Sequence, residues 1–325
     1  MIEYRRVSYV RRFGAWAFAA SLAVADVSSA VANPTYPSQP IYLVVPFAAG
    51  GGTDVLARFM AEKLGNALGQ TVIVDNKTGG GGVIATEYVM RAPKDGYTLL
   101  FQTPALAVLA ASKRGQGMDI KKRLLPVSLV ASGPFALVVN KSLEVSSASE
   151  LINLAQSKPG KLNFGSPGPG TSVHLAGELF KSMARIDVVH VPYRGNAPAL
   201  VGLMTNDIQF MFDVVGSSKP LAEDKKVKLL AVSTTKRFSG MPDTPTISES
   251  GLPGYQSGVW MGVLAPQGTP SEVIDKLSSA INEILKTDDI KKQLAVQGYE
   301  PGGLSPQEFG NMLSRDIDQY NALIR

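Results

Sequence analysis

The run IYLVVPFAAGGGTDVL at 41 to 56 constrains this chain most: an apolar β-branched stretch meets a glycine-rich bend and then the start of an amphipathic helix. That order builds an anion cradle. The first amides of a helix have no carbonyl partner, the helix dipole places partial positive charge there, and glycines let an oxyanion approach the main chain. A carboxylate or phosphate can sit at such a bend without any arginine. Gly51, Gly52, Thr53 and Asp54 are therefore candidate ligand-binding residues, and Thr53 or Asp54 is the expected N-cap.

Strand and helix patterns alternate from Ile41 onward. IYLVVP at 41 to 46, TVIVD at 71 to 75, YTLLF at 97 to 101 and FALVVN at 135 to 140 are the first strand candidates. In the helix after the first bend, Val55, Leu56, Phe59, Met60 and Leu64 share a face, and Gly69 stands just past its end. A second series, LNFGS at 162 to 166, VVHVPY at 188 to 193, IQFMFD at 208 to 213 and KLLAVS at 228 to 233, implies a second α/β lobe. WMGVLAP at 260 to 266 reads as one more strand. The helix after it has Ile274, Leu277, Ile281 and Leu285 at helical spacing and Pro270 in its first turn. The fold class is thus α/β with two lobes, 33–138 plus 260–325 and 139–259. The last 60 residues pack back on the first lobe, and chain crossings near 138 and 260 form a hinge. In open α/β sheets, ligands bind at the carboxyl ends of the strands.

The first 32 residues read as an export signal, with Arg5, Arg6, Arg11 and Arg12 before a short apolar stretch and Ala30-Val31-Ala32 as a cleavage site. VRRFGA at 10 to 15 lacks most of a twin-arginine signal, so Sec export to the periplasm is expected. Beyond the leader, no apolar run approaches the roughly 20 residues of a transmembrane helix. Cysteine is absent, which excludes disulfides, thiolate metal sites, a cysteine nucleophile and a lipidated amino-terminal cysteine. Without the leader there remain 28 basic and 25 acidic residues, too mild and too dispersed a balance for nucleic acid.

KTGGGGVIATEYVM at 77 to 90 repeats the strand, bend and helix order, either as ligand lining or as a tight turn. NFGSPGPGTSVHLAGELF at 163 to 180 repeats it again, with Thr171 or Ser172 as N-cap and Leu175, Leu179 and Phe180 on the helix face. Those hydroxyls can bind a carboxylate, cap the helix, or do both. His174 follows Ser172 too closely to serve as the base behind a nucleophile. No GxGxxG, GK[ST], HExxH or GxSxG signature occurs, and with two histidines a transition-metal site is not expected. Neither a cofactor nor catalysis is expected. Arg194 can meet a carboxylate or solvent, Tyr193 can wall the pocket, and Asp213 can fix loops or pair with a ligand amine.

Nine ordered segments carry a resemblance over nearly the whole mature chain: PFAAGGGTDVLAR, VDNKTGGGGVIATEYVMRAPKDGYTLL, FGSPGPGTSVHLAGELFK, VVHVPYRGNAPAL, FMFD, LLAVSTTKR, PDTPTISESGLPGY, WMGVLAPQGTP and the helix that follows. The sequence resembles the substrate-binding receptors of tripartite tricarboxylate transporters, the Bug receptors. The resemblance implies a type II periplasmic binding protein, a monomer holding one small carboxylate by main-chain amides, hydroxyls and waters between its lobes. By position it implies Phe47, Gly51, Gly52, Thr53, Asp54 and Thr103 in the first lobe, and Ser166, Thr171, Ser172, His174, Tyr193 and Asp213 in the second. The sequence departs from the family pattern between Pro104 and Lys122, where it is shorter and lacks the Asn-Pro and Leu-Pro-Tyr-Asp landmarks. The implied partners are the membrane carrier subunits. The alternative is a ligand sensor docking on a two-component membrane kinase, with an exported hydrolase behind both.

Overall fold

The computed structural model describes residues 1–2, 36–112, 115 and 117–324; the expected leader lies, beyond its first two residues, outside this part. Ile41–Val45 (β1) pairs in parallel with Val72–Asn76 (β2) and with Thr98–Gln102 (β3). Antiparallel Val259–Pro266 (β10) follows β3, then Leu124–Gly133 (β4), and Glu300–Pro301 (β11) closes that edge. Helices cover both faces, which is why β1 reads as a continuous apolar run. Gly52–Leu68 (α1), Ser271–Leu285 (α9) and Asp288–Val296 (α10) pack on one face. Val83–Met90 (α2), Ala105–Ala111 (α3), Ile120–Arg123 (α4) and Pro306–Ile324 (α11) pack on the other.

The second lobe repeats the plan with five strands. Asn163–Ser166 (β6) lies between Val189–Pro192 (β7) and Phe210–Val214 (β8), parallel to both, and antiparallel Phe135–Asn140 (β5) and Val227–Val232 (β9) complete the sheet. Ala148–Ser157 (α5) and Ser172–Ala184 (α6) cover an aromatic face of Phe164, Phe180, Phe210, Phe212 and Tyr255. Asn196–Thr205 (α7) and Val215–Glu223 (α8) cover the other face.

Every strand expected from the sequence is present, and the two-residue β11 and the longer β4 are additional. Pro126 of β4 lacks an N–H and hides the strand signal. The ladder absorbs it at a register shift between Val263 and Leu264, opposite Ser128 and Pro126. The first crossing also lies earlier in the chain than expected. Val138 lies inside β5, so the chain leaves the first sheet at Pro134 and returns through Gly258. These crossings touch backbone to backbone: a Cβ on Gly258 would stand 2.8 Å from the Gly133 carbonyl oxygen.

Two helix starts differ from expectation. Gly50 at φ +85° turns the chain early, so α1 opens at Gly52 with Gly51 as N-cap, rather than Thr53 or Asp54. The buried stripe is Leu56, Ala57, Met60, Ala61 and Leu64; Phe59 flanks it and Val55 is exposed. Gly69, left-handed at φ 68°, ends the helix as expected. Pro270 is the N-cap of α9 instead of a first-turn residue.

Candidate functional site

Helices α1, α2 and α3 each begin where a parallel strand of the first sheet ends, and α6, α7 and α8 do the same in the second. The carboxyl edges of the two sheets face each other across Pro134. β4 runs with β3 and ends at that edge, while Phe135 opens β5 opposite Val214 at the end of β8. Six helix N-termini therefore converge on the cleft between the lobes, and their partial charges sum to a field that favours an anion.

In α1 the first amide bonded into the helix is that of Val55, to Gly51 O at 2.9 Å, which leaves the amides of Gly52, Thr53 and Asp54 without helical partners. Gly51 and Gly52 are exposed and Phe47 and Thr53 half-buried, all four between the end of β1 and the first turn of α1. Asp54 is different. Its carboxylate is buried and turned back into the loop, accepting from Gly50 N at 2.8 Å, Arg58 Nε at 2.9 Å and Asn76 Nδ2 at 2.8 Å. Asn76 also donates to Phe47 O at 3.0 Å. The Arg58 guanidinium, with these amides, holds the Asp54 carboxyl down at about 2. Asp54 thus shapes the cradle from behind, and its oxygens are already engaged.

The second glycine cluster approaches the same edge. Gly79, Gly80, Gly81 and Gly82 all have positive φ, and a Cβ on Gly82 would meet Gln102 Nε2 at 3.4 Å and Pro46 Cβ at 3.7 Å. Thr103 precedes Pro104, the N-cap of α3, and its hydroxyl accepts from Ala105 N at 3.3 Å. Its neighbour Gln102, which sequence reasoning missed, is fully buried, with Oε1 taken by Thr103 N at 2.8 Å and Nε2 without a partner. A glutamine ending an otherwise apolar strand at the ligand edge was the available signal.

In the second lobe Thr171 is the N-cap of α6: its hydroxyl accepts from His174 N at 3.2 Å and donates to Gly168 O at 2.8 Å. Leu175 N bonds Thr171 O, so the amides of Ser172 and Val173 face the cleft unpartnered by the helix. Neither Thr53 nor Ser172 uses its hydroxyl in a hydrogen bond among the described residues. Ser166 is fully buried and 2.7 Å from His190 Nε2, with Gly168 N donating to it at 3.1 Å. His174 accepts from Gly170 N through Nδ1 at 3.3 Å, and its ring lies 4.1 Å from that of His190. Burial lowers the proton affinity of both rings, that of His190 to about 4, with His174 adding to the effect. Ser166, His174 and His190 hold the loop in shape.

Tyr193 and Arg194 follow β7 and precede α7. The Tyr193 ring is wedged against Gly165 and Gly202, where no side chain would fit, and Arg194 is exposed. Asp213, next to last in β8, is fully buried; its Oδ1 accepts from Asn196 Nδ2 at 2.6 Å and lies 3.2 Å from Ser217 Oγ, which also reaches Val214 O at 3.1 Å. Burial raises its carboxyl to about 6. Asn196, the first residue of α7, was not singled out in the sequence.

The lobes meet on both sides of the cleft. Leu175 of α6 is buried in the first-lobe cluster with Trp260, Phe309 and Leu313. On the other side Gly216, in the first turn of α8, lies against the Gln297 and Gly298 backbone, and a Cβ on Gly52 would stand 4.0 Å from Gln297 Oε1. A separate cavity of about 430 Å³ lies behind the crossings, between α6, α11 and residues 234 to 238. None of the twelve candidate residues lines it, and its charged lining is mixed, with Lys236, Arg237 and Arg315 beside Glu300 and Asp316. Among the described residues, no group of three or more His, Asp or Glu can hold a metal ion, and no helix is long and apolar enough to cross a membrane.

The profile of the "Tripartite tricarboxylate transporter family receptor" matches residues 56–325. Protein BugT of Bordetella pertussis is 32% identical over 306 residues, 94% of each chain. Among solved structures, R. palustris Rpa4515 with adipate is 38% identical at a TM-score of 0.73, over 89% of this chain and 97% of that one. MatC from Rhodopseudomonas palustris with bound malate is 29% identical at a TM-score of 0.71, over 89% of this chain and all of the other. The two-lobed α/β architecture, the order of the glycine bends and these matches agree, and the chain belongs to the tripartite tricarboxylate transporter receptor family of solute-binding proteins.

Proposed function

We propose that this chain is an exported periplasmic receptor that captures one small carboxylate between its lobes and delivers it to the membrane subunits of a tripartite carrier. It does so without catalysis. The observation that carries this reading is the pair of opposed helix starts, Gly51 to Thr53 and Thr171 to Val173, each with unpartnered amides and an uncommitted hydroxyl, on Thr53 and Ser172. Related structures that hold adipate and malate support the ligand class.

The division of labour follows from the geometry. A ligand carboxylate accepts from the amides of Gly52 and Thr53 and from the Thr53 hydroxyl, while Phe47 and Thr103 flank it at the strand ends. The Thr171 to Val173 turn supplies donors from the other lobe. Rotation about Pro134 and Gly258 brings the lobes together, excludes water and strengthens these charge-assisted bonds. Ser166 and His174 act on the ligand only through the shape of their loop, and Tyr193 through the seating of α7.

A melting curve of the chain from Asn33 onward against mono-, di- and tricarboxylates tests this. An acid at 100 times its dissociation constant stabilises the folded state by about 2.7 kcal/mol. The reading predicts a raised midpoint for one acid class. A flat panel, repeated after unfolding and refolding to remove a copurified ligand, overturns it.

A further inference from the structure

The cavity behind the crossings belongs to neither lobe alone. The second lobe supplies Leu179 and Met183 of α6 and residues 234 to 238, and the first supplies Trp260, Met312 and Asp316. Gly133, Pro134 and Gly258 of the crossings line it as well, and at about 430 Å³ it has the size of a small-molecule site. Helix α6 joins it to the cleft. Ser172 opens that helix at the ligand edge, Leu175 is buried against Trp260, Phe309 and Leu313 of the first lobe, and Leu179 and Met183 follow one and two turns later. With a rise of about 1.5 Å per residue, Met183 lies roughly 16 Å along the axis from Ser172.

The lining divides into three parts. Leu179, Met183 and Met312 are half-buried and, with buried Phe238 and Trp260, make up an apolar part. Asp316 is half-buried; its Oδ2 accepts from Trp260 Nε1 at 2.7 Å, and its Oδ1 takes no hydrogen bond among the described residues. Burial raises its carboxyl to about 6 against the pull of Arg315, so at neutral pH it is charged and poorly solvated. Glu300, the other acid, is already engaged by Ser239 N at 3.2 Å. Of the cations, Arg237 is held by Glu249 at 3.1 Å, while the exposed Lys236 and Arg315 form no ion pair among the described residues. An apolar anion would face Asp316, and an apolar cation would face Lys236 and Arg315. A molecule carrying both charges finds a partner for each.

We propose that this cavity is an effector site for a zwitterion with an apolar body, an α-amino acid of the leucine, methionine or phenylalanine kind, whose binding behind the hinge favours closure of the cleft. Its ammonium pairs with Asp316, its carboxylate with Lys236 and Arg315, and its side chain with Leu179, Met183 and Met312. The crossings are the pivot between the two sites. Rotation that closes the cleft about Pro134 and Gly258 draws Leu179 and Met183 away from Met312, so an occupant of the widened cavity favours closure. By reciprocity the cleft ligand then favours the occupant. The site itself is independent of the receptor reading above, and its effect on the cleft rests on that reading.

Trp16 lies in the expected leader, so Trp260 is the single tryptophan of the chain from Asn33 onward and its emission reports on the cavity. Titration with L-leucine, isoamylamine and isocaproate tests the site. Leucine should shift the emission and bind at least about tenfold tighter than the amine or the acid, each of which lacks one charge. Asp316→Asn, which keeps an oxygen for Trp260 Nε1, should lower the preference for leucine over isocaproate. Lys236→Ala, at an exposed position, should lower the preference over isoamylamine and serves if Asp316→Asn does not fold. Thr53→Ala/Ser172→Ala, altered only in the cleft, should bind leucine as the wild type does. Saturating leucine should lower the dissociation constant of the acid found in the melting panel at least about threefold. No emission change with leucine, methionine or phenylalanine, or equal binding of leucine and its one-charge analogues, overturns the site. Loss of leucine binding in the cleft variant, or an unchanged constant for the cleft acid, overturns the effector role. A flat melting panel with leucine binding intact overturns the receptor reading and leaves the cavity site standing.

Discussion

The Gly50 to Asp54 bend and the Ser166 to Ser172 bend use one backbone device, and opposite chemistries hold them in shape. In the first lobe a permanent ionic network sits behind the cradle: Asp54 takes hydrogen bonds from Gly50, Arg58 and Asn76, and Asn76 reaches Phe47. In the second lobe two neutral histidines brace the loop, His190 on Ser166 and His174 on Gly170. The difference shows that a helix-start cradle does not dictate its own support. It also separates residues that can touch a ligand from those that hold such residues in place.

Asp54→Ala probes the ionic support and should have the largest effect. It strands Gly50 N, Asn76 Nδ2 and Arg58 together, and loss of hydrogen bonds to a buried charge costs about 3 kcal/mol. Differential scanning calorimetry should give a clearly lower midpoint; an unchanged midpoint would mean that the network does not support the bend. Thr171→Ala removes the α6 N-cap, a loss of about 1 kcal/mol, and urea unfolding should place its midpoint between those of Asp54→Ala and the wild type.

A third effect is a pH dependence confined to the second bend. His190 has a folded-state proton affinity lowered to about 4 from an ordinary value of 6.5, so between these values the unfolded chain binds more protons than the folded one. Stability therefore rises with pH across that window and is lost as pH falls through it. Asp213 and Asp316, both raised by burial to about 6, act with the opposite sign. Comparison with His190→Gln, which keeps a partner for Ser166 and does not titrate, cancels those terms. The wild type should lose stability relative to His190→Gln from pH 6.5 down to 4, and parallel profiles would remove the histidine from this role.

Much of this was legible in the sequence because strand, glycine bend and helix leave local signals. The strands ending at Val45, Gln102, Ser166 and Val214, the Thr171 cap and the Gly69 stop follow from period, capping and left-handed glycine. What sequence reading missed depends on distant partners. Asp54 looked like a cap, and only the fold brings Asn76 and Gly50 around it. β4 was hidden by Pro126 until its register shift with β10 was visible. Gln102 and Asn196 carry no motif, and their unpartnered atoms become apparent only when burial is known.

The most direct test of the central claim, that the opposed starts of α1 and α6 hold the ligand carboxylate, is calorimetric titration of the acid found in the melting panel into the wild type and into Thr53→Ala/Ser172→Ala. Both hydroxyls are free of structural bonds, so the variant should fold and melt like the wild type. The account predicts a dissociation constant raised at least about tenfold, or ~1.4 kcal/mol. An unchanged dissociation constant in a normally folded variant would contradict it and place the ligand elsewhere.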